Sequence, residues 1–254
     1  MRTDILDLCK FYESPLGRRA RASIEGRLVE AWGEAAGMRI AGFGHASPYL
    51  GVFPKAERRL VLAPDAQGAM RWPTEGRNLS SLVPENGWPL PDSSIDRLLI
   101  VHGLEEASDP QRLMREAWRV LAPTGRLIIV AAHRRGLWSM VDTTPFAAGR
   151  PWLKRQLFKL LQGAMLKPLF VTGALYFPPF GARILLRAAD VWERAGAQLW
   201  SGLGGVLMVE AGKELLAPVG RVQRATSRAL RPHAVRPATA RGALSRSRLD
   251  ADGG

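Results

Sequence analysis

The feature that most constrains the fold is an alternation of strand-like and helix-like segments in the middle of the chain. Residues 97–102 form an apolar, strand-like run, and Asp109 and Pro110 then open a helix, because Asp is a favourable N-cap and Pro fits the first helical turn. The turn from Pro123 to Gly125 ends this helix, and residues 126–132 form a second apolar run. Strand–helix–strand units with short links predict a parallel sheet covered by helices on both faces.

Segments on either side continue this alternation. Residues from about Thr3 to Ala36 are predicted to be helical, with Gly37 as the C-cap. The other predicted elements are strands at 38–43, 59–63, 169–177 and 205–211, a short helix after the first of these strands, and helices at about 151–162 and 182–195. Ligands of such sheets bind beyond the carboxyl ends of the strands. Functional residues are therefore expected in the loops after Phe43, Ala63, Pro84 and His102.

Composition narrows the class of protein. The chain has 254 residues, of which 46% are hydrophobic, enough for one large α/β domain with a full core. Cys9 is the single cysteine, so no intramolecular disulfide forms and a reducing, cytoplasmic location is expected. Asp4 and Asp7 interrupt the apolar run that a signal peptide needs, and Lys167 and three prolines break the longest apolar stretch, at 164–181. Neither a signal peptide nor a transmembrane segment is predicted.

Positive charge is concentrated at the C-terminus. Residues 218–254 contain eight arginines and two aspartates, which account for +6 of the net charge of +13. This basic tail has no aromatic residue and is rich in Arg, Ala, Pro and Ser, so it is predicted to be disordered. A solvated tail is one interpretation, and binding to nucleic acid or to an anionic membrane surface is the other.

A dense motif occupies residues 88–138. The turn Trp88-Pro-Leu-Pro-Asp92 leads into the first apolar run, and Trp118-Arg-Val-Leu-Ala-Pro-Thr-Gly125 leads into the second. This order closely resembles the type 11 branch of the class I S-adenosylmethionine-dependent methyltransferases, and a weaker resemblance extends over residues 39–211. The resemblance implies an α/β fold with a doubly wound, mostly parallel seven-stranded sheet of Rossmann-like topology and an α-helical cap insertion.

The chain is divided into three parts. The resemblance implies a methyltransferase-like domain at 38–217, while apolar spacing and composition give an N-terminal helical segment at 1–37 and the basic tail at 218–254. The cap insertion covers about 133–167 and combines aromatic and basic residues. This cap is interpreted either as a lid that forms an acceptor pocket or as a structural cover for an apolar sheet edge.

S-adenosylmethionine is the cofactor that the family implies, held in part by a glycine loop after the first strand. Gly42, Gly44 and His45 occupy that loop here, while Ala46 and Pro48 replace two of the family's glycines. Gly42 also stands where the family has an acid. The three residues are candidate cofactor contacts. The alternative is a tight turn that needs small residues, with His45 exposed on it.

Two acids are candidates for holding the ribose and the adenine of the cofactor. The family's ribose-binding acid aligns with Ala63, and Asp65 lies two residues further on. A second acidic position aligns with Pro84, and Glu85 lies beside it. A helix-start role for Asp65 and an exposed-loop role for Glu85 are the alternatives.

The residues after the family's fourth strand often face the methyl donor, which makes His102 and Glu105 the candidate catalytic residues. His102 is also a candidate cofactor contact, and Glu106 follows in the same loop. The reference pKa of histidine lies near neutrality, so His102 can act as a base. A strand-end histidine bonded to the backbone is the alternative.

The sequence therefore predicts an S-adenosylmethionine-dependent methyltransferase with a small-molecule acceptor. The rival hypothesis is a non-catalytic methyltransferase-like protein that binds a partner. It is motivated by the loss of glycines at Ala46 and Pro48 and of acids at Gly42 and Ala63. Four scattered histidines and one cysteine give no metal-ligand spacing, so no metal site is predicted.

Overall fold

The computed structural model describes residues 2–180, 189, 192–193, 195–196 and 202–214. These residues belong to one compact unit, Met1–Leu215. The basic tail lies outside the described residues, so its predicted disorder and its possible anionic partners stay predictions. Most of the predicted helix at 182–195 also lies outside them.

Seven strands form one sheet. They are β1 Arg39–Gly44, β2 Arg58–Pro64, β3 Ser80–Val83, β4 Ile95–Val101, β5 Leu121–Ala132, β6 Leu166–Ala174 and β7 Val206–Lys213. Their order in the sheet is β3-β2-β1-β4-β5-β7-β6, and β7 runs antiparallel to both of its neighbours while β1 to β5 pair in parallel. This confirms the predicted fold class, a doubly wound and mostly parallel seven-stranded sheet.

The parallel strands bring distant parts of the chain to one edge. β1 pairs with β2 on one side and with β4 on the other. The carboxyl ends of the five parallel strands, at Gly44, Pro64, Val83, Val101 and Ala132, therefore meet along the same edge of the sheet. This carboxyl edge carries the polar groups described below.

Local sequence explains where the helices begin. The helices are α1 Ile5–Glu13, α2 Pro15–Trp32, α3 Ser47–Leu50, α4 Pro110–Val120 and α5 Lys154–Gly163, with a 3₁₀ turn at Leu137–Met140. The Ser14 hydroxyl accepts a hydrogen bond from the Gly17 amide at the start of α2. The Asp109 carboxylate accepts from the amides of Gln111 and Arg112 at the start of α4, which confirms the predicted N-cap.

Alternate side chains of the central strands pack on opposite faces of the sheet. On β4, Leu99 and Val101 belong to the same apolar cluster as Ile24 of α2. Leu98 and Ile100 belong to the other cluster, together with Leu113 of α4. Because side chains of a strand alternate between faces, an unbroken apolar run implies burial on both sides. The N-terminal helices cover one face, and α4 and α5 cover the other.

The connections in the N-terminal half of the sheet are short. α3 has four residues, which agrees with the short helix predicted after the first strand, and residues 65–79 between β2 and β3 contain no helix. Pro64 ends β2 and Pro73 lies in the middle of this connection. Because proline disfavours a helix interior, Pro73 limits the length of any helix here. β3 was not predicted, because its polar residues Ser80 and Ser81 lie on an exposed sheet edge.

The cap insertion contains little regular structure before α5. α5 agrees with the helix predicted at 151–162, whereas β6 begins three residues earlier than the predicted strand at 169–177. β7 agrees with the strand predicted at 205–211. No helix within the described part of the chain is long and apolar enough to cross a membrane.

Candidate functional site

The candidate site lies at the carboxyl ends of β1, β2 and β4, beneath the N-terminal segment. Six polar side chains meet there, and none of them is more than 8% exposed. This buried polar cluster consists of Arg2, Tyr12, His45, Gln67, His102 and Glu105. Such groups are rarely buried without hydrogen bonds, so the partners of each one decide what the cluster can do.

The glycines of the first loop are required by contacts inside the protein. Gly44 has a φ of +78°, and a Cβ there would lie 2.3 Å from the carbonyl oxygen of Val101 and 2.9 Å from Gly103. A Cβ at Gly42 would lie 2.5 Å from the Cβ of Ala46. Both glycines therefore let the turn after β1 pack closely, Gly44 against the end of β4 and Gly42 against its own loop.

His45 is buried rather than exposed on the turn. Its backbone amide donates to the carbonyl of Val101 at 2.8 Å, while neither ring nitrogen has a hydrogen-bond partner among the described residues. Burial lowers the pKa of His45 to about 4, so the ring is neutral at physiological pH. A neutral imidazole offers one donor and one acceptor, and both are unused here.

A chain of hydroxyl groups connects the N-terminal helix to β4. The Tyr49 hydroxyl donates to the Tyr12 hydroxyl at 2.8 Å, and the Tyr12 hydroxyl lies 2.8 Å from Nε2 of His102. Because Tyr12 accepts from Tyr49, its own proton is directed to His102, whose Nε2 acts as the acceptor. Burial lowers the pKa of His102 to about 3, with a smaller contribution from the positive charge that His45 carries once it is protonated at low pH. His102 is therefore neutral at physiological pH.

The N-terminal segment crosses the carboxyl edge and is held there by polar contacts. The Arg2 guanidinium donates to the carbonyl of Gly103 at 3.2 Å and pairs with the carboxylate of Glu85 at 3.0 Å. The amide of Thr3 donates to both carboxylate oxygens of Glu106, at 2.9 and 3.0 Å. These contacts join residues about a hundred positions apart in the sequence.

Gln67, rather than Asp65, reaches the cluster after β2. Its Nε2 donates to the carbonyl of His102 at 3.2 Å, its backbone carbonyl accepts from Ile5, and its Oε1 has no described partner. Asp65 is exposed, and its carboxylate accepts from the amide of Ala66 at 2.7 Å. This local turn orients the Asp65 carboxylate along its own backbone.

Glu85 connects the N-terminal segment to the loop before α4. One carboxylate oxygen pairs with Arg2, and the other accepts from the backbone amide of Ser108 at 2.8 Å and from its hydroxyl at 3.2 Å. The side chain is 14% exposed, so it is not a solvated loop acid. In this conformation both oxygens are already used.

Glu105 is the titratable group of the cluster with the pKa nearest neutrality. Its Oε1 accepts from the amide of Ala132 at 2.8 Å, and its Oε2 is buried without a described partner. Burial raises the pKa of Glu105 to about 7. The group therefore exchanges a proton close to physiological pH, as a general acid or base must.

The unpartnered atoms test whether the cofactor implied by the family fits these residues. Nδ1 and Nε2 of His45, Oε1 of Gln67 and Oε2 of Glu105 are all buried without a described partner. Such atoms cost stability unless a polar group completes them. A polar ligand such as S-adenosylmethionine supplies such groups. Arg2 and Thr3 bind Glu85 and Glu106 in this structure, so the unpartnered atoms of His45, Gln67 and Glu105 are the ones left for such a ligand.

Sequence reasoning missed three members of the cluster. Arg2, Tyr12 and Gln67 lie outside the motif, and no spacing connects them to it. Tyr12 gives a partial signal, because it continues the buried face of α1 with Ile5 and Leu8. A tyrosine on an apolar face places its hydroxyl next to buried groups and needs a partner there.

Comparison with known proteins agrees with the resemblance found in the sequence. A family model described as a methyltransferase domain matches residues 71–129, which include β3, β4, α4 and most of β5. No curated protein matches the chain.

Solved structures share the fold at low sequence identity. A possible histamine N-methyltransferase from Thermotoga maritima, described as S-adenosylmethionine-dependent, is 17% identical with a TM-score of 0.55, over 78% of this chain and 91% of that one. A methyltransferase from Mesorhizobium loti is 16% identical with a TM-score of 0.52, over 74% and 96%. The [4+2]-cyclase SpnF is 22% identical with a TM-score of 0.52, over 75% and 81%. Proteins with this fold thus catalyse more than one type of reaction.

Proposed function

Because the chain has the fold of class I S-adenosylmethionine-dependent methyltransferases, with a methyltransferase-domain segment at 71–129, we propose that it transfers a methyl group from S-adenosylmethionine to a small-molecule acceptor. One observation carries the proposal. Four buried polar atoms without a described partner, on His45, Gln67 and Glu105, lie in loops at the carboxyl edge, where ligands of this fold class bind. The segment 71–129 supplies Glu105 to that group, while His45 and Gln67 come from the preceding strands.

Several residues have the chemistry to hold the cofactor. His45 offers an unused donor and acceptor after Gly44, Gln67 offers an amide oxygen after β2, and Glu85 offers a carboxylate after β3. Three residues predicted as cofactor contacts make other contacts in this structure. Gly42 packs against Ala46, the exposed Asp65 carboxylate accepts from the amide of Ala66, and His102 accepts from Tyr12. They can bind the cofactor only if these contacts are exchanged.

When bound, the cofactor supplies a methyl group that is already activated for transfer. The chain then has to orient the acceptor, exclude water and accept a proton where the acceptor carries one. Glu105 suits the proton-accepting role better than His102, because its pKa lies at about 7 while that of His102 lies at about 3. The unpartnered Oε2 of Glu105 is the atom that we assign to this proton.

The N-terminal segment controls access in this proposal. Withdrawal of Arg2 frees one carboxylate oxygen of Glu85, while the other stays bonded to Ser108. Withdrawal of Thr3 frees Glu106, and withdrawal of Tyr12 frees His102. A ligand that binds only the open form has its apparent affinity reduced by the fraction of closed molecules. Weakening the closed form should therefore strengthen cofactor binding.

Calorimetric titration with S-adenosylhomocysteine tests the proposal on the full chain. We expect Arg2→Ala to bind about tenfold more tightly than wild type, since it loses the Glu85 and Gly103 contacts of the closed form. Arg115→Ala is the matched control, because Arg115 is an exposed arginine of α4 and should bind like wild type. Absence of heat and of a thermal shift at millimolar ligand in all three folded proteins would overturn the catalytic proposal.

A non-catalytic, partner-binding methyltransferase-like protein is the second candidate. The observation that favours it is the closed edge itself, in which the N-terminal segment already binds Glu85 and Glu106. Incubation with methyl-labelled S-adenosylmethionine and a mixture of small acceptors discriminates the two. Methyl transfer that is lost in both Asp65→Ala and Glu85→Ala would contradict this second candidate.

A further inference from the structure

Apart from the buried polar cluster, a cavity of about 730 Å³ lies further along the carboxyl edge, beyond the end of β5. The loop after β5, the first turn of α5, and strands β6 and β7 form its walls. No member of the buried polar cluster lines it. We call this cavity the basic groove.

The groove has positive charge without a described counter-charge. Arg135, Lys154 and Arg155 line it and are exposed, and none of them forms an ion pair with a described residue. Arg27 also lines the groove but is paired with Glu30 at 2.9 Å. No carboxylate is among the described residues of the wall. Three cations are therefore available to an anionic ligand.

Hydrogen bonds anchor the two backbone segments that carry the positive side chains. The amide of Trp152 donates to the carbonyl of Ala132 at 2.8 Å, and the amide of Arg134 donates to the carbonyl of Trp152 at 3.0 Å. Nδ1 of His133 lies 3.1 Å from the carbonyl oxygen of Gly204. These contacts tie the loop that carries Arg135 and the start of α5 to the same strand end. A wall that is ordered before binding loses little entropy on binding.

The start of α5 and the apolar wall define the shape of the ligand. Leu153, the N-cap of α5, has no side chain that caps the helix, although the amide of Gln156 already donates to the carbonyl of Leu153 at 2.9 Å. The first turn of α5 places the positive end of the helix dipole at the groove. Val171 and Leu207 line the same groove and offer apolar surface to the rest of a bound molecule. The groove thus combines an anion site with an apolar wall.

We propose that the basic groove binds a small organic phosphate with an apolar body. Guanidinium groups such as those of Arg135 and Arg155 form paired hydrogen bonds with phosphate oxygens. Three cations without an acid match a doubly charged phosphate better than a singly charged carboxylate. The basic groove shares no lining residue with the buried polar cluster. Phosphate binding in the groove does not depend on methyl transfer.

Titration of the full chain with 1-naphthyl phosphate tests the inference. We expect the double variant Arg135→Ala/Arg155→Ala to lose about tenfold or more in affinity, as removal of charged hydrogen bonds does. Arg115→Ala, an exposed arginine on α4, should retain wild-type affinity. Inorganic phosphate should bind more weakly than the naphthyl ester, and 2-naphthol should not bind.

A second arm distinguishes a soluble phosphate from a lipid headgroup. Phosphatidylcholine vesicles containing phosphatidic acid are sedimented with wild type and with the double variant. Retention that the double variant loses and that 1-naphthyl phosphate competes away would assign the phosphate to a lipid, whereas binding of the ester without vesicle retention would assign it to a soluble molecule. Absence of binding in both arms, or an equal loss in Arg115→Ala, would overturn the inference.

Discussion

Two regions of the same sheet edge differ in how their polar groups are satisfied. At the ends of β1, β2 and β4, Arg2 is buried and paired with Glu85. Beyond β5, Arg135 and Arg155 are exposed and face no described carboxylate in the groove. A buried pair contributes to the folded state, and an exposed cation contributes little to it. In the first region a cofactor must displace contacts that belong to the fold, whereas in the second the cations are already exposed to a ligand.

The largest expected difference concerns a glycine from each region. Gly44→Ala should lower the free energy of unfolding by roughly 3–5 kcal/mol, since the new Cβ would overlap Val101 and the positive φ is unfavourable for alanine. Gly202, on the groove wall, has open space for a Cβ, and Gly202→Ala should change stability by less than about 0.5 kcal/mol. Urea unfolding measures both. Equal effects would contradict the contrast between the regions.

A smaller difference is expected for the two arginines. Arg2→Ala leaves the Glu85 carboxylate without its buried partner and should destabilise the protein by roughly 3 kcal/mol. Arg135→Ala removes an exposed side chain that forms no ion pair with a described residue, and it should change stability by less than about 0.5 kcal/mol. Urea midpoints at low and at high salt would compare the two variants. If Arg135→Ala destabilised the protein as much as Arg2→Ala, the groove would be part of the folding core.

The pH dependence of stability sharpens the comparison at Glu105. Burial raises its pKa from 4.5 to about 7, so between these values the folded state keeps a proton that the unfolded state releases. Folding stability therefore falls as pH rises through this window, by up to ~3 kcal/mol. Glutamine keeps the acceptor for Ala132 and stays neutral. The stability of Glu105→Gln relative to wild type should thus rise from pH 4.5 to 7.

The buried histidines have the opposite effect and cancel in that comparison. Burial lowers the pKa of His45 to about 4 and that of His102 to about 3. The unfolded state binds protons first as pH falls below about 6.5, so these groups destabilise the fold on acidification. Both histidines are present in wild type and in Glu105→Gln, so their effect cancels when the two proteins are compared. A pH-independent difference between Glu105→Gln and wild type would mean that Glu105 is ionised in the folded state.

The smallest expected effects concern the hydroxyl chain. Tyr49→Phe removes one buried hydrogen bond and should cost about 1 kcal/mol. Tyr12→Phe removes the hydroxyl that links Tyr49 to His102 and should cost about 2 kcal/mol. Thermal unfolding of the single and double variants measures whether the two effects are coupled. Strict additivity would contradict a continuous chain.

Much of the fold could be predicted from the sequence, because its signals are local. The Asp109 cap, the apolar run that becomes β4 and the turn before residue 126 each act within a few residues. Loops after parallel strands meet at one edge, so the loops after Phe43, Ala63 and His102 could be expected along the same edge. β3 gave no such signal, since it is short, polar and exposed on one side.

The candidate site was less predictable, because its contacts are long-range. Sequence reasoning selected Asp65 for its charge, yet Asp65 is exposed and Gln67 is buried in its place. Arg2 reaches Glu85 across 83 positions and Tyr12 reaches His102 across 90. No periodicity encodes such pairs.

The alternation of elements, the methyltransferase-like segment and the weakened glycine loop can all be recognised in the sequence. Only the folded chain shows that the N-terminal segment closes over that loop, and that cations without an ion pair to a described residue collect beyond β5. The difference lies in the range over which the interactions act. Capping and apolar periodicity act within a few residues, whereas burial, which shifts the pKa of Glu105 and orients Arg2, depends on which distant segments pack together.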